Sequence, residues 1–249
     1  MTIDLNHGSG FVPGRARPET ATLGLRIGAM IDNALRRARL GEPPRRYLGA
    51  SIIGHSCSRF IALAYRGVPT LAPPDRGLRI FATGHTLEAL LADWLRRAGF
   101  DLRTVDPATD EQFAFHDGAL AGHADGVIVS GPDLGGHLSY PALWEAKGLN
   151  DKSWNNFAKR GLQAALPTYY GQALALMHYL GLKCCLFTAL NKNTSELYCE
   201  PVTYDLIAAR QLIERAAEII VGSLPALPDA PLGICNNCPY TALCWGASP

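Results

Sequence analysis

Between residues 19 and 40 apolar side chains recur at Leu23, Ile27, Met30, Ile31, Ala34, Leu35 and Ala38, the three-and-four spacing of a helix face. Gly41 and the Pro43-Pro44 pair end that run. The spacing predicts a second helix from Ser56, as N-cap, to Tyr65, stopped by Gly67 and Pro69. A third covers about 78–98, with Leu87, Leu91, Trp94, Leu95 and Ala98 as its apolar stripe and Gly99 as its end. The period then falls to two. Segments 100–105, 112–116, 120–130 and 140–147 read as strands, separated by Asp, Gly and Pro turns. Helical spacing returns over 151–161 and from Pro167 to Leu180. Strands over 183–190 and 195–202 follow, joined by the turn Asn191-Lys192-Asn193-Thr194, and then a helix over 204–223. A linker containing Pro225, Pro228 and Pro231 leads into a cysteine-containing tail. The pattern is that of an α/β domain with a helical N-terminal lobe and a mostly antiparallel sheet.

Residues 1–18, rich in Gly and Pro without apolar periodicity, read as a flexible arm. The remainder, 19–249, is expected to form a single domain: a helical lobe over 19–77, a core over 78–202, and a C-terminal helix and tail over 203–249. The 249 residues are 48% hydrophobic and 18% charged, a globular composition that argues against a disordered chain. No apolar run approaches the roughly 20 residues of a membrane span, and no signal-peptide pattern opens the chain, so a cytoplasmic protein is expected. Seven cysteines, an odd number, argue for metal binding or buried thiols over a secreted disulfide scaffold.

The net charge of +1 conceals segregation. Residues 15–46 hold eight arginines against Glu19, Asp32 and Glu42. Residues 147–192 hold Lys147, Lys152, Lys159, Arg160, Lys183 and Lys192 against Asp151 alone. Between them, residues 104–133 hold six acids and no Lys or Arg. Carboxylates flanked by basic segments fit a metal site on a phosphate-binding surface; solvated helix faces are the alternative.

The chemistry concentrates in Gly122-His123-Ala124-Asp125-Gly126 and in Trp144-Glu145-Ala146-Lys147. On a strand Glu145 and Lys147 share a face while Trp144 and Ala146 point away, Trp144 into the core. A turn over 131–136 allows the two strands to pair and brings Asp125, Glu145 and Lys147 to one end of a sheet. Two carboxylates there suit a hard divalent cation, magnesium or manganese, and a lysine beside them can orient water and stabilise developing charge. His123 either supports the strand or stands near the metal.

Asp125 followed by Glu145-x-Lys147 resembles the PD-(D/E)xK nuclease signature in its RecB-like branch, with Ala124 where the name has proline. Gly84-His85-Thr86-Leu87-Glu88 is similar to that family's helical element, whose last residue helps hold metal; the spacing favours Glu88 over His85. Tyr169-Tyr170-Gly171-Gln172 resembles its Y-x-x-Q motif and sets Tyr169 and Gln172 one helical turn apart, within reach of DNA or the lysine. The resemblance covers most of the chain beyond residue 48. It implies a restriction-endonuclease-like core, a central mixed sheet flanked by helices, with a helical N-terminal lobe and a Cys-rich C-terminal tail. Its implied catalytic set is Glu88, Asp125, Glu145, Lys147, Tyr169 and Gln172, and its implied metal ligands are Glu88, Asp125, Glu145 and His85.

The tail carries Cys235-x2-Cys238-x5-Cys244, three soft ligands that demand a fourth. Cys57 stands where the iron–sulfur members of the RecB-like branch, those of CRISPR adaptation among them, place theirs. By that resemblance the four thiolates hold a 4Fe–4S cluster. Structural zinc accepts the same four ligands, and unliganded thiols are the third reading. Cys184, Cys185 and Cys199 lie in apolar strands and read as core.

The resemblance implies metal-dependent hydrolysis of DNA, single-stranded or at duplex ends, exonucleolytic and with little sequence preference. Arg36, Arg37, Lys152, Lys159 and Arg160 are the candidate backbone contacts. A strand-annealing recombination protein is the implied partner, in phage or prophage recombination and repair. A junction or flap endonuclease, or a non-catalytic DNA-binding module of the same fold, are the alternatives.

Overall fold

The structure, a computed structural model, describes residues 18–41, 45–70, 75–227, 229–231 and 233–246. The arm expected over 1–18 lies outside them apart from Pro18, the first residue of helix α1 (Pro18–Leu40). The chain divides into two units, residues 1–43 with 73–80, and residues 44–72 with 81–249. In the first, Arg79 pairs with the buried Asp32 of α1. Helix α4 (Asp75–Arg97) begins in the first unit and continues into the second.

The second unit opens with a two-residue strand β1 (Leu48–Gly49), a single-turn helix α2 (Ala50–Ile53) and helix α3 (Ser58–Tyr65). The first two have too few residues to show periodicity, and the sequence reading missed both. Cys57, not Ser56, is the N-cap of α3, its sulfur accepting from the Phe60 amide at 3.4 Å.

Strands β2 (Asp101–Arg103), β5 (Gly126–Ser130), β6 (Ala142–Leu149), β7 (Cys184–Asn191) and β8 (Leu197–Thr203) form a five-stranded sheet in the order β2-β5-β6-β7-β8. Strands β3 (Ala114–Asp117) and β4 (Leu120–His123) join β1 in a three-stranded sheet, ordered β1-β4-β3. The strand expected over 120–130 is therefore two strands in two sheets. The chain changes sheets at Ala124-Asp125, where the Ala124 amide donates to Phe113 O (2.8 Å) and Gln112 Nε2 donates to Ala124 O (2.9 Å). Gly126 permits the switch, since a Cβ there would lie 2.8 Å from Arg103 O. Asp125 is left at the seam.

The sheet is also less antiparallel than the turns suggested. Strands β6 and β7 run parallel, because helices α5 (Asp151–Ala165) and α6 (Pro167–Leu180) form the crossover that parallel pairing requires. Both sheets are flanked by helices, the mixed α/β architecture that the sequence implied. On one face of the large sheet Leu143, Cys185, Phe187 and Ala189 pack with Phe157 and Leu162 of α5 and Leu174, Leu176 and Met177 of α6. On the other, Ile128, Trp144, Ala146, Leu186 and Leu190 pack with Leu87, Leu91 and Leu95 of α4. Trp144 is fully buried, with its indole N–H satisfied by Thr188 Oγ1 at 3.1 Å. Trp94 and Ala98 are exposed, unlike Leu87, Leu91 and Leu95 of the expected stripe. Cys199, expected in the core, is exposed because β8 is an edge strand, while Cys184 and Cys185 are buried. Helix α7 (Leu206–Val221), a 3-10 turn (Gly233–Asn237) and a short α8 (Thr241–Trp245) follow among the described residues.

Helix α6 comes unusually close to the turn after α2. A Cβ on Gly171 would stand 2.5 Å from Gly54 Cα, and one on Gly54 would stand 2.6 Å from Pro167 O. Backbone meets backbone there, so neither side can yield by rotating a side chain. Gly171→Ala should therefore lower stability by about 1–3 kcal/mol in urea unfolding, the range for overpacking; an unchanged midpoint would show that α6 can shift without loss.

Candidate active site

The hydrogen-bond ladder of β6 fixes Leu143, Glu145 and Lys147 on the face toward α6 and Trp144 and Ala146 on the face toward α4. Asp125, at the seam between β4 and β5, reaches β6 from the side. Its Oδ2 accepts from the Ala146 amide at 2.8 Å and from Lys147 Nζ at 3.0 Å. Lys147 Nζ also donates to Glu145 Oε2 at 3.1 Å, and that oxygen accepts from Gln172 Nε2 of α6 at 2.9 Å. The Tyr169 ring lies under the ammonium, 5.6 Å from Nζ to its centroid, and stacks on Phe187. One helical turn thus carries both α6 residues to the same lysine–carboxylate group.

Burial and charge oppose one another here. Desolvation is the largest effect on Glu145 and raises its pKa to about 8, with Asp125 adding to the rise and Lys147 opposing it. Burial disfavours the Lys147 ammonium, but Glu145 and Asp125 together outweigh it and raise its pKa. Glu88, on α4, is raised first by burial and then by Asp125, which places it within electrostatic reach of the group; Lys147 and His85 oppose the rise. His85 itself is exposed.

Glu145 Oε1 is buried and, among the described residues, has no hydrogen-bond partner. A carboxylate oxygen out of water with its lone pairs vacant is costly, and a hard cation is a partner it can take. The donor set Asp125, Glu145 and Glu88 fits magnesium or manganese on that ground. No group of three or more His, Cys, Asp or Glu side chains among the described residues is arranged to hold a metal ion. Neither the set Glu88, Asp125, Glu145 and His85 nor the four cysteines stands as a coordination shell in this structure. At the carboxylates the physical reason is Lys147, which engages one oxygen of Asp125 and one of Glu145.

Beside Gln172 opens a cavity of about 100 Å³, lined also by Arg45, Tyr47, Ser51 and His123. The sequence reading missed Arg45, Tyr47 and Ser51, because neither the segment before β1 nor the single-turn α2 has a periodic signal. His123 is exposed, and burial, His116 and Arg45 lower its pKa.

Cys57, Cys235, Cys238 and Cys244 line a second cavity, walled by Phe60, Leu63, Leu227 and Trp245. The tail is shaped by its own backbone: the Cys238 amide donates to Cys235 O (3.1 Å), and the Thr241 amide donates to Cys238 O (3.1 Å). Two arginines of the α3 region tie down the preceding segment, Arg59 to Pro225 O at 2.6 Å and Arg66 to Gly222 O at 2.8 Å. Four thiols from the two ends of the chain on one cavity fit a metal–thiolate centre by donor type and shared position.

Neither a family model nor a curated protein matches the sequence. Among solved structures, that of SSO0001 aligns with 90% of this chain and 98% of its own, with a TM-score of 0.55 at 13% identity. Two structures of LHK-Exo, an alkaline exonuclease from Laribacter hongkongensis, one of them in complex with dAMP, align with 71% of this chain and 87% of theirs. Their TM-scores are 0.47 and 0.48 at 14% identity. At such identities a likeness concerns the fold, and function rests on the site's own residues.

A pH profile tests the electrostatics of Glu145. Its carboxyl ionises near 4.5 in the unfolded chain and near 8 when folded, so the folded state binds the extra proton between those values. Its contribution to stability is therefore present at low pH and is lost as pH rises from about 4.5 to 8. In metal-free urea unfolding, Glu145→Gln should gain on the wild type across that window; a constant difference would mean that Glu145 titrates normally.

Proposed function

We propose that this protein is a metal-dependent DNA nuclease, acting as an exonuclease with little sequence preference. The observation that carries the reading is the largely buried Lys147 ammonium held between Asp125 and Glu145, with Gln172 on the same Glu145 oxygen. Asp125, Glu145 and Glu88 would hold magnesium or manganese. When bound, such a cation polarises a phosphodiester and supplies hydroxide near neutral pH.

The chain's own residues do the rest. Lys147, kept charged by two carboxylates, orients the attacking water and stabilises the charge that develops on the phosphate oxygens. Gln172 holds the Glu145 carboxylate in place, and Tyr169 supports the ammonium from below. Arg45 gives the neighbouring cavity a cationic wall suited to substrate phosphate, with His123 beside it. Lys152, Lys159, Arg160, Arg36 and Arg37 are the proposed contacts to the DNA backbone, which supply affinity without reading bases.

The same reading gives Cys57, Cys235, Cys238 and Cys244 a 4Fe–4S cluster with a structural role. Each ligand of such a cluster binds a different iron, so the four need a shared cavity, which they line. Closing so long a loop would stabilise the fold, since the unfolded chain cannot assemble the site.

The test is digestion of linear duplex and single-stranded DNA, each labelled at either end, with and without magnesium. Release of short products from one labelled end is expected, whereas discrete internal cuts at junctions or flaps would make the enzyme an endonuclease. Asp125→Ala and Glu145→Ala should abolish cleavage while binding survives in calcium. Lys147→Ala should cost on the order of a hundredfold. Near-normal activity in either carboxylate variant would overturn the assignment. For the cysteines, protein purified without oxygen should be brown and carry about four irons per chain; one zinc per chain in a colourless preparation would replace the cluster.

A further inference from the structure

Among the described residues, the cavity that the four cysteines line holds one charged side chain, Arg59, two residues beyond Cys57. One guanidinium nitrogen donates to Pro225 O. Its Nε is buried and, among the described residues, meets no hydrogen-bond acceptor. Among the described residues no carboxylate lines this cavity. A guanidinium does not give up its proton in a protein, so the charge cannot be relieved by neutralisation. An arginine held there has an N–H that wants an acceptor and a charge that wants a counter-ion.

Four thiolates present the complementary deficit. Around the common 2+ state of a 4Fe–4S core, or around one zinc ion, they leave a net charge of about −2 among apolar walls. Buried charge of that kind needs an opposite charge and hydrogen bonds to the sulfurs. We propose that Arg59 is the counter-cation of a metal–thiolate centre at Cys57, Cys235, Cys238 and Cys244, with its Nε–H donated to a sulfur of that centre. The role rests on the metal reading of the four cysteines and holds for either occupant, because both carry the same net charge. Arg59 is thus a positioning and charge-balancing residue, and its bond to Pro225 O makes it the link between the centre and the segment that leads to the tail.

The competing explanation is that Arg59 merely tethers Pro225. Arg66 supplies the control, since it ties Gly222 O in the same manner and does not line the cavity. Holoprotein purified without oxygen is assayed for iron and zinc, and then for the rate of metal loss to excess chelator (bathophenanthroline for iron, EDTA for zinc). Arg59→Met should lose metal about tenfold faster or more, in keeping with the loss of other outer partners of metal ligands. Arg59→Lys, which keeps the charge and loses the Nε donor, should fall between that variant and the wild type. Arg66→Met should match the wild type. In an iron-loaded protein Arg59→Met should also be harder to reduce, because a positive charge beside the cluster has gone. Should Arg59→Met not fold, Arg59→Lys decides by the same release rate. Wild-type release from the Arg59 variants, or equal acceleration in Arg66→Met, overturns the assignment of Arg59 alone. Wild-type protein that carries neither iron nor zinc overturns the metal reading, and the role of Arg59 with it.

Discussion

The largely buried ammonium of Lys147 sets the terms for everything around it. A charge out of water is tolerated only when it is paired and hydrogen-bonded, and here two carboxylates do both. Neither carboxylate could be there without the change of sheet at Ala124-Asp125 and the ladder of β6, which bring a loop residue and a strand residue to the same nitrogen. Removing one member leaves an uncompensated buried charge, so the group acts as a unit. Glu145 Oε1 is left buried without a hydrogen-bond partner among the described residues, and it is there that the proposed cation would bind.

Helix α6 transmits the backbone geometry to that group. Its inner face is nearly all apolar and packs on the sheet, with Leu174, Leu176 and Met177 wholly buried. Gly171 lets the helix settle against Gly54, and the neighbouring Gln172 then reaches Glu145 at hydrogen-bond distance. The turn after α2 therefore influences a residue of the candidate centre without touching it. That turn also leads into His55, whose Nδ1 accepts from the Cys57 amide, so one short segment joins the surroundings of both cavities.

Much of this was legible in order and type. The helices at 19–40 and 167–180 and the strands around Glu145 and Cys185 follow from periodicity, Asp125, Glu145 and Lys147 from strand alternation and the turn between their strands, and Tyr169 and Gln172 from the family resemblance alone. What failed did so for physical reasons. The segment before β1 and the single-turn α2 have no period to detect, so Arg45, Tyr47 and Ser51 passed unnoticed. Residues 120–130 alternate as one strand would, and only the bond from the Ala124 amide to Phe113 O shows that they serve two sheets. Cys199 is as apolar as Cys184, but strand order put it on an edge.

The sequence by itself determined the alternation that puts Glu145 and Lys147 on one face of a strand, and the one-turn spacing of Tyr169 and Gln172, because these depend only on backbone repeat. It also determined the donor types at the cysteines. Tertiary structure alone decided which charges meet. Asp125 shares Lys147 with Glu145, Gln172 takes the same Glu145 oxygen, and Arg59 keeps a buried N–H beside four thiols. Those partnerships join residues far apart in the chain, and the burial that makes each one necessary exists only once the sheets and helices have packed.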